Sequence, residues 1–218
     1  MHKSLLVLCT LAAAFALAPH DADAAGRVKA RGATQNAEGG VTAGRASAAR
    51  GPNGGGAVRA RGVKTDGQGN GQAASGSAVR GPNGGTAARA GTTTWNADGS
   101  AQHRSGAQRN GQNGSGSSEG GFVRTDDGSV SGGRTTHATG TQGGSYDADT
   151  QYADGNLDRN VDATGQNGNR YQSTVTGSKD DGYTRTATCY DAGDVSHRGG
   201  AAGRAQGAGA AHDQAALR

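Results

Sequence analysis

The amino-acid sequence predicts an all-β fold of extended antiparallel β-meander or hairpin repeats, with extensive disorder and no compact globular core. Three observations carry that prediction. A turn-forming stretch returns at a near-constant interval, the segments between turns have strand length and strand alternation, and large aliphatic residues are scarce.

The stretch is Arg50-Gly51-Pro52-Asn53-Gly54-Gly55, repeated letter for letter at Arg80–Gly85. Looser copies begin at Asn110, Thr139 and Thr164, so successive steps are 30, 30, 29 and 25 residues, the fixed period of a repeat architecture. A second mark falls between copies: Glu38-Gly39-Gly40, Asn70-Gly71, Asp98-Gly99, Asp127-Gly128, Asp154-Gly155 and Asp181-Gly182. Gly and Asn adopt positive φ at little cost, and Pro presets the first corner of a turn. Two kinds of turn therefore alternate, one along each margin of a meander.

Taken from its start, the chain opens with a basic Met1-His2-Lys3, an apolar run over Ser4–Ala18 and the small-residue triplet Ala22-Asp23-Ala24. Residues 1–24 are expected to be a secretory signal peptide, the run being shorter than the roughly 20 residues of a membrane span. Export to the periplasm or the medium follows, with no transmembrane span after cleavage. Residues 25–119 form basic Gly/Ala/Arg-rich repeats in which Ala offers little area to bury, so weak order is expected there. Residues 120–198 are the stronger meander. Tyr146, Ala148 and Tyr152 share one face, as do Leu157 and Val161, Tyr171 and Val175, and Ala187 and Cys189, with Asp, Asn, Gln and Thr opposite. Residues 199–218 read as a flexible Ala/Gly-rich tail with a short helical turn at 210–218.

Beyond residue 24 the large aliphatics and Phe are Leu157, Leu217, Phe122 and ten Val, about 7% of that segment. Globular cores need roughly 20%, so a close-packed two-layer domain is excluded. Charge divides unevenly. Residues 25–109 carry twelve Lys and Arg against three acids, whereas residues 110–218 carry nine against thirteen. Such asymmetry speaks to partners rather than to fold.

The cycle of Gly-x-Asn-Gly-Gly turns, Arg/Thr-rich strands and Asp-Gly turns, closing on Thr186-Ala187-Thr188-Cys189-Tyr190-Asp191-Ala192, resembles the uncharacterised Gly/Thr-rich exported repeat proteins of Gram-negative bacteria. The resemblance covers most of the chain after residue 24 and implies export without a known activity. A looser likeness to curli-type amyloid subunits implies self-association.

Catalysis needs convergent titratable groups on a rigid frame. His103, His137 and His197 are far apart in the sequence, and no nucleophile elbow, phosphate loop or dinucleotide motif is present. No enzymatic activity and no cofactor are expected. Asp154, Asn156, Asp158, Asn160 and Asp162 fall at every second position and present oxygen ligands along one strand face, but they lack the glycine and bidentate Glu of a calcium loop, so a solvated polar face is expected. Cys189 is read as a small residue on a strand face, with a free thiol or an intermolecular bridge as alternatives.

The candidate site residues are the cations Arg27, Lys29, Arg31, Arg45, Arg50, Arg59, Arg61, Lys64, Arg80 and Arg89. Spaced along a backbone, they suit phosphates or acidic sugars with a salt-dependent affinity. Trp95 is the one aromatic among them, so specific nucleic-acid reading is not expected. An anionic polysaccharide or envelope polymer is the expected partner, with self-assembly as a fibrous matrix subunit the alternative.

Overall fold

The computed structural model describes residues 26–193 and 196–200. The expected signal segment, and all of the expected tail except Gly199 and Gly200, lie outside the described residues. The chain makes β1 (Gly26–Gln35), β2 (Val41–Arg50), β3 (Gly56–Thr65), β4 (Gly71–Arg80) and β5 (Thr86–Trp95). It continues through β6 (Ala101–Gly111), β7 (Gly114–Arg124), β8 (Val130–Gly140), β9 (Ser145–Ala153) and β10 (Asn156–Thr164). The last strands are β11 (Arg170–Ser178), β12 (Gly182–Tyr190) and β13 (Ser196–Gly200). All thirteen lie in one sheet in sequence order, each antiparallel to its neighbours. The fold is an open all-β meander, and no helix occurs among the described residues.

Turn chemistry explains the regularity. In 51–55 the Gly51 N–H donates to the Gly55 carbonyl at 2.7 Å and the Gly54 N–H to the Gly51 carbonyl at 3.3 Å, with Gly54 at φ +79°. This is a type I turn closed by a left-handed residue, the usual three-residue hairpin loop. The same pair of bonds closes 81–85, 140–144 and 165–169, and on the other margin 36–40, 96–100 and 125–129. Two loops are tighter. Ala153 pairs with Asn156 across Asp154-Gly155, both at positive φ (52° and 79°), and Gly111 pairs with Gly114 across Gln112-Asn113. Neighbouring turns on a margin are tied together: Asn36 Nδ2 donates to the Thr65 carbonyl at 2.6 Å, and the Ala97 N–H to Asn70 Oδ1 at 2.9 Å.

Packing is thin. Ala148 is the one buried apolar residue among the described residues, and Val28, Val41, Val79, Phe122, Val123 and Tyr152 stand exposed. Among the described residues the single sheet has no second layer to bury a face against. Cohesion comes from the ladder bonds and cross-strand contacts.

Candidate functional site

Every strand pairs with its neighbour without a slipped register, so side chains can be followed across the sheet. Residues directly opposite one another share a face. One row reads Arg31, Arg45, Arg61, Ser75, Gly91 and Ser105, and continues as Gly120, Arg134, Thr150, Arg159, Val175 and Arg185. The next row on that face includes Lys29, Ser47, Arg59, Ser77 and Arg89. Arg27, Arg109 and Arg124 lie on it too, giving twelve cations.

No Asp or Glu points from a strand onto this arginine face. The strand carboxylates Glu119, Asp147, Asp149, Asp158 and Asp162 all lie on the opposite face, where Arg50, Lys64, Arg80, Arg104 and Arg170 balance them. The remaining described acids occupy turns. Charge is therefore segregated by face along the whole sheet, as well as between the halves of the chain.

Of the sequence-derived candidates, Arg27, Lys29, Arg31, Arg45, Arg59, Arg61 and Arg89 gather on the arginine face. Arg50, Lys64 and Arg80 face the other way, because they stand at odd offsets from that set along their strands. Arg109 joins the arginine face from the basic half, and Arg124, Arg134, Arg159 and Arg185 join it from the half that sequence reasoning treated as acidic. Parity within each strand, together with the loop lengths that align one strand's face with the next, places them there.

The cations of the face form no ion pair with a carboxylate among the described residues. Among the described residues the ion pairs are Lys64 with Glu38 at 3.4 Å and His137 with Asp147, and neither uses an arginine-face cation. Arg134 instead donates to Ser118 Oγ at 2.9 Å and Ser105 Oγ at 3.0 Å, and Arg89 to Ser77 Oγ at 3.1 Å. Arg31, Arg45 and Arg61 lie directly opposite one another and line a hollow with Ser75, Thr93 and His103. Like charges directly opposite across strands are destabilising, a cost that a bound anion would remove.

Other predicted features are placed as follows. Asn156, Asp158, Asn160 and Asp162 share the opposite face, while Asp154 sits in the turn. Their side chains bond laterally: Asn160 donates to Asp158 at 2.8 Å, Gln172 to Asp162 at 2.7 Å and Thr174 to Asn160 at 3.0 Å. Among the described residues no three His, Cys, Asp or Glu side chains converge as a metal site. His103 stacks on Phe122, with ring centroids 5.5 Å apart, and shares a 2.8 Å hydrogen bond with Thr93. His137 lies on the opposite face beside Asp147, and the His197 side chain is outside the described residues. Cys189 is exposed and unbridged.

Compared with known proteins, the chain matches no family model, no curated protein and no solved structure.

Proposed function

We propose that this is a non-enzymatic exported protein that binds anionic envelope or matrix polymer through the arginine face. The observation that carries the reading is the segregation of charge: twelve cations and no strand carboxylate on one face of an open sheet. Strand separation sets the backbones of directly opposed arginines about 4.8 Å apart, and alternate residues on a strand about 6.7 Å apart. A polymer bearing one negative charge per unit can engage several at once. Each neutralised charge releases counterions, so affinity falls steeply with salt. Strands β1–β3 rest mainly on Ala, Gly and Arg, and in this reading they are weakly ordered until polymer offsets the repulsion within the row of Arg31, Arg45 and Arg61.

The test is binding to polygalacturonate at a series of salt concentrations. Replacing Arg31, Arg45 and Arg61 together by Gln should weaken binding at least tenfold and lower the salt slope by about 2, following a contribution of about 0.7 per charge. Arg50→Gln with Arg80→Gln, on the opposite face, should change it much less. Equal binding by the two variants would overturn the reading.

A second reading, self-assembly as a fibrous subunit, is favoured by β1, an edge strand among the described residues, whose ten residues are all exposed. It would be supported by β structure and mass that grow together with protein concentration alone.

A further inference from the structure

The aromatic side chains follow the arginines. Trp95, Phe122, Tyr146, Tyr152, Tyr171 and Tyr183 all lie on the arginine face; of the described Phe, Tyr and Trp residues, Tyr190 alone lies on the other. Over β9–β12 they form a pattern. Tyr146, Ala163 and Tyr171 make one cross-strand row, and Tyr152, Leu157, Gly177 and Tyr183 another, with Arg159 and Arg185 in a row between them. Arg159 donates to the Tyr146 hydroxyl at 3.2 Å, and Arg185 donates to the Tyr171 hydroxyl and, at 3.3 Å, to Ser173 Oγ. Ala148, Val161, Ser173 and Ala187 make the row between the Tyr146 row and the arginine row, which in turn adjoins the Tyr152 row.

We infer that this four-strand patch is a sugar-ring subsite for a hexuronate-rich polysaccharide. The inference rests on the polymer-binding reading and assigns it a chemical class of ligand. The axial C–H face of a pyranose carries slight positive charge and suits the negative face of a phenol ring. The carboxylate of a uronate suits a guanidinium, which can bind it through two parallel hydrogen bonds. Tyr146 and Tyr171 are two strands apart, about 9.6 Å by strand spacing, which is close to the advance of an extended 1,4-linked pyranose chain over two units. Each phenol then takes every second ring while Arg159 and Arg185 take carboxylates. Successive bases of a nucleic acid stack on neighbouring platforms, and phenols spaced this widely suit them less well. The patch also differs from the β1–β3 end, which has cations set among Ala and Gly and no aromatic ring. One face thus has an electrostatic end and a ring-stacking end.

The experiment is tyrosine nitration of the unaltered protein, mapped by mass spectrometry, with polygalacturonate, inorganic polyphosphate or single-stranded poly-dT present. Polygalacturonate should slow nitration of Tyr146, Tyr152, Tyr171 and Tyr183 several-fold and leave Tyr190 unchanged, whereas polyphosphate, which has no rings, should bind without protecting them. The variant Tyr152→Ala with Tyr183→Ala should bind polygalacturonate at least about fivefold more weakly, the low end of one stacked ring, and polyphosphate as before. If both polymers bind but neither protects the tyrosines, or both do so equally, the ring subsite is wrong and the polymer-binding reading stands. If neither binds, both fall. Stronger protection by poly-dT than by polygalacturonate would overturn the sugar assignment in favour of single-stranded nucleic acid.

Discussion

At the scale of single residues, cation and carboxylate positions follow separate rules. Eleven strand arginines share one face while Arg50, Arg80, Arg104 and Arg170 take the other, and many of the acids sit at turn corners where backbone N–H groups converge. Asp66 accepts from the Gln68 N–H at 2.7 Å and the Asn70 N–H at 3.0 Å, and Asp98 and Asp127 accept from the N–H groups of Ser100 and Ser129, each at 2.8 Å. These bonds, led by the side chains of Asn70, Ser100 and Thr125 respectively, hold the three carboxyls below their ordinary value of 3.8. A carboxyl depressed in the fold stabilises it fully above its unfolded value and loses that contribution as pH falls through the folded one. The contribution of these three turns should therefore be constant between about pH 5 and 7, and the sheet should loosen at its Asx-turn margin below about pH 4. Circular dichroism against pH, with Asp66→Ala and Asp127→Ala, checks this: both variants should flatten the acid limb, and an unchanged limb would remove these turns as its cause. On the arginine face, Ser173 and then Arg185 hold the Tyr171 phenol below its ordinary value, as expected for a hydroxyl that accepts from a guanidinium.

At the scale of elements, hairpin closure depends on turns more than on strand propensity. β1–β4 contain mainly Ala, Gly, Ser and Arg, which bury little and pair weakly, yet they keep regular ladders because each loop sets its register. Gly84 tests the point cleanly. It sits at φ +79° and a Cβ there would meet nothing within 4 Å, so any cost of a side chain is backbone alone. Gly84→Val should lose about 1–2 kcal/mol, seen as faster hydrogen exchange localised to β4 and β5; protection unchanged in both strands would mean that the turn does not govern pairing. Elsewhere Gly serves contact instead: a Cβ on Gly121 would lie 2.0 Å from the His103 carbonyl oxygen, and one on Gly132 2.4 Å from that of Gly121. The close approach of β6, β7 and β8 admits no side chain at those two positions.

At the scale of the molecule, a single open sheet presents two faces and long edges. The β1 edge is ten residues long and carries Arg27, Lys29 and Arg31. Charged side chains on an edge strand oppose edge-to-edge pairing of copies. Replacing those three by Thr should produce association at protein concentrations where the parent chain sediments as a monomer. Identical sedimentation of the two would show that edge charge does not control assembly. The same three cations belong to the arginine face, so polymer binding and edge protection draw on shared residues, and bound polymer would weaken that protection.

The all-β class, the antiparallel meander and the alternation of polar and apolar positions over β9–β12 are legible in the residues alone, because turn residues and a two-residue period are local signals. Seven of the cations that gather on one face are marked there too. Which residues share a surface follows from the strand pairing. Arg50, Lys64 and Arg80 differ from their neighbours by one position, and one position reverses the face; Arg134, Arg159 and Arg185 lie far along the chain from Arg31 yet stand in its row. A residue's face within its own strand follows from parity, but its row across twelve strands depends on the length of every intervening loop. That sum sets cation beside cation and tyrosine beside arginine, and no single segment contains it.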